Sequence, residues 1–309
     1  MAPLVLITAP THPCLQAGLQ LAGYTIEIHE RPSRTWLMEH ISRFTGMVIS
    51  THPQLDAALL ELANQLQWIA RLGSGMEHID TVYAATKGIR CISSPEGNCG
   101  SVAEHVLTIL LSLLRNIPLC SGEVKEGKWI REMQRHEELS GKTIGIIGYG
   151  HTGAAFARLL EPFGVTVLAH DKYKSGFSNQ YIRESTLELL KEQADIISLH
   201  LPLTAETKWY ANGNFFESLQ RQPLFINAAR GGLVDTTALC LALEHKQISG
   251  AALDVLENEQ LTTYTEKEQE QLQYLLGHNR VLVTPHIAGY SQQAFRKMSE
   301  VILQKIGIR

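Results

Sequence analysis

The stretch Thr143-Ile144-Gly145-Ile146-Ile147-Gly148-Tyr149-Gly150-His151-Thr152-Gly153 decides the fold of the second half of the chain. Its apolar run from 143 to 147 predicts a buried β-strand, and the apolar residues 154–160 predict a helix directly after Gly153. Between them, the first glycine permits a tight turn, the second lets the backbone approach a pyrophosphate, and the third allows close packing of the helix on the strand. The N-terminus of such a helix offers unpaired N–H groups to phosphate oxygens. We therefore predict a dinucleotide-binding loop formed by Gly148, Tyr149, Gly150, His151, Thr152 and Gly153.

A carboxylate follows the next predicted strand, which ends at His170-Asp171, 18 residues beyond Gly153 (171 − 153). A carboxylate in this place can accept hydrogen bonds from the ribose hydroxyls of NAD and repel the extra phosphate of NADP. Lys172 and Lys174 are close enough in sequence to weaken that repulsion. The pattern predicts NAD as the cofactor.

Short apolar runs alternate with helix-like stretches along the whole chain, which is typical of parallel α/β units. The predicted strands of the first half are Leu4–Thr8, Thr25–Ile28, Met47–Ser50, Trp68–Arg71 and Arg90–Ser93. Those of the second half are Thr143–Ile147, Val165–Ala169, Ile196–Leu199, Leu224–Asn227, Ala251–Val255 and Val281–Thr284. We predict two doubly wound parallel-sheet domains, residues 1–99 plus 286–309 and residues 100–285. The tail after residue 286 is too short for a domain and is expected to pack against the first half.

The segment at the predicted boundary has its own pattern. Ser101-Val102-Ala103-Glu104 matches a capping box, in which Ser101 caps a helix and Glu104 bonds back to it. The predicted helix is apolar nearly all round until Pro118 ends it. A helix with so little polar surface requires burial on several sides. We therefore expect a homodimer that uses residues 101–117 and the following arm with Trp129.

The composition argues against several classes of partner. The 309 residues are 44% hydrophobic and 19% charged with a net charge of −4, and no run of Lys or Arg indicates a nucleic-acid surface. The five cysteines lack C-x-x-C spacing, so we expect free thiols and no metal site. The N-terminus lacks the pattern of a signal peptide, and the longest apolar stretch, Val106–Leu114, is too short to span a bilayer. We expect a cytoplasmic protein with neither a membrane nor a nucleic-acid partner.

Three clusters that are distant along the chain make chemical sense together: Asn227-Ala228-Ala229-Arg230-Gly231, Asp254-Val255-Leu256-Glu257-Asn258-Glu259 and Thr284-Pro285-His286. Arg230 is a cation whose planar fork can hold a carboxylate. His286 can act as a base, and Glu259 is a carboxylate that can orient that base. Combined with a dinucleotide-binding loop, these residues can oxidise an alcohol next to a carboxylate, so they predict a dehydrogenase.

The motifs and their order resemble the D-isomer-specific 2-hydroxyacid dehydrogenases, and among them the phosphoglycerate dehydrogenase-like members. The resemblance covers nearly the whole length, through Arg71–Asp80, Glu96-Gly97-Asn98, Val102–His105, the glycine loop, His200–Thr204, Asn227–Gly231, Ala252–Val255 and Pro285–Gly289. It implies a flavodoxin-like substrate domain plus a Rossmann NAD-binding domain, with the C-terminal helix returning to the first.

The resemblance also implies roles for individual residues. In that family the residues that match Arg230, Glu259 and His286 are catalytic, and Arg230 and the backbone amides around Ser74 and Gly75 bind the substrate. Asp254 is expected to hold the nicotinamide carboxamide, and His105 to be a satisfied core or interface histidine. Further cofactor contacts are expected from His200, Leu201, Pro202, Thr204, Ala228 and His286.

The chain departs from the family in ways that leave the substrate open. Ser50-Thr51-His52 stands where phosphoglycerate dehydrogenases usually carry an arginine for the substrate's phosphate, and Arg71, His52 or His78 are the residues that could replace it. The interval from Glu259 to His286, 27 residues (286 − 259), is longer than in the family, which predicts an enlarged loop. 3-Phosphoglycerate is the first substrate candidate, followed by hydroxypyruvate, glyoxylate and D-lactate.

Three alternatives stay open at this point. Glu257, two residues before Glu259, is a second candidate for the acid, although the family's glutamate falls five residues after its aspartate, as Glu259 does after Asp254. A nucleotide-sensing protein of the corepressor type, which shares this fold, is a function of another class. Formate oxidation is the third, although the resembled formate enzymes carry glutamine where Glu259 stands.

Overall fold

The computed structural model describes residues 2–308, which form two compact units. The first unit runs to Ser101 and resumes at Gly289, and the second comprises Val102–Ala288. The predicted division, 1–99 plus 286–309 and 100–285, placed His286 in the first unit. The structure places the boundaries two or three residues later, because residues 286–288 form hydrogen bonds to Asp254 of the second unit.

The first unit contains a five-stranded sheet in the order β2-β1-β3-β4-β5, and every neighbouring pair is parallel. This is the flavodoxin-like order, so the prediction for this unit is confirmed. Its strands are β1 Leu4–Ile7, β2 Thr25–Ile28, β3 Gly46–Ile49, β4 Trp68–Arg71 and β5 Arg90–Ser93.

The second unit contains a seven-stranded parallel sheet in the order β12-β11-β10-β9-β6-β7-β8. Its strands are β6 Thr143–Ile147, β7 Thr166–His170, β8 Ile182–Glu184, β9 Ile196–Leu199, β10 Leu224–Asn227, β11 Gly250–Leu253 and β12 Val281–Val283. The predicted Rossmann architecture is confirmed, since the chain order reverses at β6 as in doubly wound nucleotide-binding sheets. The edge strand β8 was not predicted, because its sequence, Ile182-Arg183-Glu184, has one buried and two exposed residues.

Helices cover both sheets. They are α1 Pro13–Leu21, α2 Arg34–His40, α3 Ala57–Leu62, α4 Thr81–Thr86, α5 Pro95–Leu114, α6 Ile117–Lys125, α7 His151–Leu160, α8 Leu187–Gln193, α9 Gly213–Glu217, α10 Thr236–Glu244, α11 Glu266–Gly277 and α12 Gln292–Lys305. Helix α12 packs on α1 in the first unit, where Ile302 is fully buried among Val5 and Leu15. The expected return of the tail to the first half is therefore confirmed.

Helix α5 corrects the prediction of its first residue. It begins at Pro95, whose fixed φ suits a first helical turn, so Ser101 lies inside the helix and the capping-box interpretation is wrong. Its apolar residues are largely buried within the chain itself, with Val106, Leu110 and Leu113 at most 2% exposed. Leu107 and Leu111 are only partly buried, and the role of this helix in a homodimer stays a prediction. Among residues 2–308 it is the one helix long and apolar enough to cross a membrane by length and composition, a test that the core helices of soluble proteins also pass.

Candidate active site

The predicted site residues of the second unit lie in loops at one edge of its sheet. In a parallel sheet the carboxyl ends of all strands meet at the same edge. The glycine loop follows β6 and Asp171 follows β7, on one side of the point where the strand order reverses. On the other side, Arg230 follows β10, the segment with Asp254 and Glu259 follows β11, and His286 follows β12.

The glycine loop forms a close-packed turn that is open at its middle glycine. A Cβ on Gly153 would lie 2.1 Å from the carbonyl oxygen of Gly148, and a Cβ on Gly148 would lie 2.6 Å from that of His200. A Cβ on Gly150 would meet nothing within 4 Å, so the middle of the loop is open. Helix α7 begins at His151, and no side chain of the described residues caps its N-terminus at Gly150. An open, glycine-built turn before an uncapped helix fits the pyrophosphate of a dinucleotide.

Asp171 is held directly beside this loop. One of its carboxylate oxygens accepts the backbone N–H of Tyr149 at 2.7 Å, and the other accepts those of Tyr173 and Lys174 at 2.9 and 3.1 Å. The two lysines that could have weakened its repulsion of a phosphate are both engaged elsewhere. Lys172 pairs with Glu206, and Lys174 donates to the carbonyl of Tyr149 at 3.2 Å.

His200 is buried beneath the loop. Its Nδ1 lies 3.2 Å from the Thr152 hydroxyl and its Nε2 lies 3.0 Å from the Ser198 hydroxyl. Burial lowers the pKa of His200 to about 4, so the ring is neutral at physiological pH. His200 is only 8% exposed, and its ring contacts the Thr152 hydroxyl from beneath the first turn of α7. Its predicted contact with the cofactor stays a prediction.

The loop after His200 is closed by a threonine that the sequence did not single out. The Thr207 hydroxyl donates to the carbonyl of Pro202 at 2.6 Å and accepts the backbone N–H of Thr204 at 2.8 Å. Leu201 packs against Gly148, 3.2 Å from the position of a Cβ there. Hydrogen bonds within the loop thus fix the conformation of the predicted cofactor residues 201–204.

Glu259 and His286 come together as predicted. The Oε2 of Glu259 lies 2.9 Å from the Nδ1 of His286, and both side chains are about half exposed, at 44% and 40%. Glu257 is committed elsewhere, because it accepts the indole N–H of Trp209 at 2.6 Å and the hydroxyl of Thr236 at 3.0 Å. The structure therefore selects Glu259 over Glu257 as the partner of the imidazole.

His286 adopts a left-handed backbone conformation, with φ of 55°. This conformation costs a residue with a Cβ about 1–2 kcal/mol, so the surroundings must impose it. Asp254 does so, because its carbonyl accepts the N–H of His286 at 2.7 Å and its carboxylate accepts those of Ile287 and Ala288 at 3.0 and 2.8 Å. The strand end at Asp254 and the turn at His286 are thus one hydrogen-bonded unit.

The carboxylate of Asp254 is fully buried, yet it remains ionised. Its Oδ1 also accepts the hydroxyl of Thr284 at 2.6 Å and lies 3.3 Å from the Nε2 of His105. Burial alone would raise the pKa of Asp254, but the hydrogen bonds of His105, Thr284, Ile287 and Ala288 outweigh it and lower the pKa. His105 is therefore a core histidine with hydrogen-bond partners. Asp254 holds the turn that presents His286, a role beyond its expected contact with the nicotinamide carboxamide.

Arg230 lies beside the Glu259 segment. It follows buried Ala228, and one guanidinium nitrogen donates to the carbonyl of Ala229 at 2.7 Å. The next residue, Gly231, packs so closely that a Cβ would lie 1.8 Å from the carbonyl oxygen of Leu256. This contact joins the loop that carries Arg230 to the loop that leads to Glu259.

The predicted substrate residues of the first unit follow β4. Arg71 is 9% exposed, and its guanidinium covers Gly73, where a Cβ would lie 1.6 Å from a terminal nitrogen. Gly73 has φ of 127° and donates its N–H to the hydroxyl of Ser94 at 2.9 Å, which fixes the turn that leads to Ser74 and Gly75. The role of Arg71, Ser74 and Gly75 in substrate binding stays a prediction.

Comparison with known proteins agrees with this arrangement. A profile described as the D-isomer specific 2-hydroxyacid dehydrogenase, NAD binding domain, matches residues 107–288. A D-3-phosphoglycerate dehydrogenase of Archaeoglobus fulgidus is 32% identical over 286 residues, 92% of this chain and 53% of that protein. A hydroxypyruvate reductase of Thermotoga maritima is 32% identical over 272 residues, 87% of this chain and 86% of that protein.

A solved D-lactate dehydrogenase of Aquifex aeolicus, in complex with NAD and lactic acid, is 26% identical with a TM-score of 0.87, covering 98% of this chain and 94% of that one. The chain spans about half the length of the D-3-phosphoglycerate dehydrogenases that it matches. The profile match and the reductase, similar over most of both chains, lead to the same conclusion: this chain belongs to the D-isomer specific 2-hydroxyacid dehydrogenase family.

Proposed function

We propose that the chain is an NAD-dependent oxidoreductase that interconverts a small D-2-hydroxy acid and NAD⁺ with the 2-oxo acid, NADH and a proton. The observation that carries the proposal is the Glu259–His286 pair, 2.9 Å apart, on the sheet that also carries Arg230 and the glycine cradle. Bound nicotinamide would supply the acceptor or donor of the hydride. Gly148, Gly150 and Gly153 would hold its pyrophosphate, and Asp171 its adenosine ribose.

The proton steps follow from the contacts of His286. Because its Nδ1 faces a carboxylate, the neutral ring carries its proton there and leaves Nε2 as the free acceptor. Nε2 takes the proton of the C2 hydroxyl during oxidation and returns it to the C2 oxygen during reduction. Glu259 stabilises the imidazolium form of His286, which is produced during oxidation and donates the proton during reduction.

Arg230 supplies the positive charge. Its guanidinium offers several N–H donors in one plane, which can bind the substrate carboxylate or the C2 oxygen in a fixed orientation. In reduction it polarises the carbonyl group and stabilises the negative charge that develops on the C2 oxygen.

The substrate proposal remains 3-phosphoglycerate first, with hydroxypyruvate, glyoxylate and D-lactate as the other candidates. The lack of an arginine after β3 does not favour a substrate with a phosphate group. His52, which could replace that arginine, has its Nε2 3.2 Å from the carbonyl oxygen of Pro32. Two of the named relatives, a D-3-phosphoglycerate dehydrogenase and a hydroxypyruvate reductase, act on acids from this set.

We also propose that the chain forms a homodimer through residues 101–117 and the arm that follows them, which carries Trp129. Large apolar side chains of this arm are exposed, including Ile117 at 54%, Val124 at 52%, Trp129 at 84% and Met133 at 81%. Sedimentation of the wild type as a dimer and of Trp129→Lys as a monomer would support this interface. A monomeric wild type would overturn it.

The test of function is a panel of 2-oxo acids with NADH and NADPH, in which cofactor oxidation and cofactor binding are measured separately. We expect turnover above about 1 per second with at least one substrate. His286→Gln keeps a hydrogen-bonding side chain but loses the base, so it should lower kcat by about 10²–10⁴-fold while NADH still binds. Binding of NADH without turnover of any 2-oxo acid would instead support the nucleotide sensor.

A further inference from the structure

The segment that presents Glu259 has no regular structure of its own. It extends from the end of β11 to a short 3-10 helix at Leu261–Thr263, and both Glu259 and Gln260 are exposed. Beneath it lies a small, partly open cavity of about 40 Å³, lined by Leu256, Asn258, Tyr264, Glu268 and Leu275, among others. Because the side chain of Glu259 is 44% exposed, packing in the core does not fix its position.

Asn258, the residue directly before Glu259, is fixed by hydrogen bonds. Its side-chain amide donates to Glu268 at 3.0 Å and to the Thr263 hydroxyl at 3.2 Å. Its main-chain carbonyl accepts the hydroxyl of Tyr264 at 2.6 Å. Both the side chain and the backbone of Asn258 are thus held by residues that follow Glu259.

The residues that hold Asn258 suit this role electrostatically. Burial, followed by the negative charges of Glu268 and Glu259, raises the pKa of Tyr264, so its hydroxyl stays protonated and can donate. Hydrogen bonds from the backbone and side chain of Thr265 and from Asn258 lower the pKa of Glu268, which stays ionised. One oxygen of Glu268 closes the capping box of α11 with Thr265, and the other accepts from Asn258.

We propose that Tyr264 and Glu268, at the start of α11, are positioning residues that hold Asn258 and thereby keep Glu259 in contact with His286. Helix α11 lies within the interval that makes this loop longer than expected for the family. The proposal rests on the proposed function, in which Glu259 serves the catalytic imidazole. Residues that follow Glu259 supply the hydrogen bonds that its exposed segment lacks.

Tyr264→Phe is the sharpest test, because it removes one hydroxyl and keeps the ring. Tyr274→Phe is the matched control, a tyrosine of α11 whose hydroxyl takes part in none of the hydrogen bonds within residues 2–308. We expect Tyr264→Phe to lower kcat about five-fold, the equilibrium effect of one lost neutral hydrogen bond. The KM for the 2-oxo acid and the Kd for NADH should stay within about two-fold, because binding groups are untouched. Asn258→Ala removes the side-chain hydrogen bonds to Glu268 and Thr263 and should lower kcat more than Tyr264→Phe does.

A spectroscopic readout separates this proposal from the proposed function. In protein labelled with ¹⁵N-histidine and kept at alkaline pH, the wild-type ring of His286 should show the Nδ1-protonated tautomer, and Tyr264→Phe a mixture of tautomers. The resonances are assigned with His286→Gln. An unchanged spectrum or an unchanged kcat in Tyr264→Phe would overturn the positioning role. If the wild type turns over no 2-oxo acid, the proposed function fails, and the spectra still decide the contact.

Discussion

Replacing Asp254 with asparagine tests whether one buried carboxylate holds the turn that presents His286. The side chain is 0% exposed and accepts the N–H groups of Ile287 and Ala288 and the hydroxyl of Thr284, at 3.0, 2.8 and 2.6 Å. Asparagine has nearly the same shape but offers one acceptor oxygen where aspartate offers two. The substitution therefore changes the hydrogen bonds and leaves the packing in place.

The expected loss of stability follows from counting these bonds. The amide NH₂ must face one of the donors, most favourably the single N–H of Ala288, and leaving that buried donor unsatisfied costs about 1–3 kcal/mol. The remaining bonds to Thr284 and Ile287 lose their charge assistance, which takes each from about 1.5–3 kcal/mol towards about 1 kcal/mol. We expect a total of roughly 2–7 kcal/mol, which corresponds to a fall in melting temperature on the order of 5–25 °C.

The catalytic consequence comes through the backbone of His286. Its φ of 55° is imposed by the bonds to Asp254, so a weakened turn relaxes and moves the imidazole. A displacement of about 1 Å at a reacting group lowers the rate by about 10²-fold. The assay is kcat with NADH and the best 2-oxo acid, together with thermal unfolding. Thr284→Val, which removes one donor only, should give a smaller loss of both; wild-type melting and kcat in Asp254→Asn would refute the reasoning.

The same carboxylate makes a pH dependence predictable. Because the folded-state pKa of Asp254 is lowered, its contribution to stability is present above the unfolded-state value, about 3.9, and is lost as the pH falls through the folded-state pKa. In acid titrations of unfolding, Asp254→Asn should therefore lose less stability than the wild type on going below about pH 4. Parallel curves for the two proteins would contradict this.

Three further predictions concern other parts of the site. Arg230→Lys should lower kcat/KM by more than about ten-fold because the planar fork is lost, and a near-normal value would remove Arg230 from the mechanism. Asp171→Ala should narrow the ratio of NADH to NADPH affinity measured by equilibrium binding; an unchanged ratio would mean that cofactor choice is determined elsewhere. Gly153→Ala places a Cβ 2.1 Å from the carbonyl oxygen of Gly148, so NADH binding should be lost, and turnover of the 2-oxo acid with it. Retained NADH affinity in this variant would show that helix α7 can move away from the loop.

The sequence predicted most strands because buried parallel strands are short apolar runs. Leu224–Asn227, for example, is buried at every position and was predicted with its observed bounds. The edge strand Ile182–Glu184 carries no such run, since solvent covers one side of it. The start of α5 was misplaced because Ser101 and Glu104 satisfy the capping-box pattern by spacing alone, whereas the first turn is formed at Pro95.

Within the site, the sequence could identify Glu259 but not what holds it. The spacing from Asp254 chose between Glu257 and Glu259, and the structure agrees through the contacts of each carboxylate. The supporting role of Asp254 could not be foreseen, because it depends on hydrogen bonds to residues more than 30 positions away. The roles of Thr284 and Tyr264 could not be predicted either, since hydroxyl groups in loops follow no sequence pattern.

The strand order gives a physical reason for this difference. Near β6 and β7 the site is built from backbone groups, in that Gly148 and Gly153 shape the cradle and Asp171 accepts the N–H of Tyr149. Glycine spacing records such a geometry in the sequence, so it can be found without a structure. Beyond β10 the site is built from side chains in the loops that follow separate strands, and Glu259 and His286 are held by residues from elsewhere in the chain. The reacting end of the site is therefore specified by tertiary contacts, in the Asp254 turn and the Tyr264–Asn258 contact, which leave no pattern in the sequence.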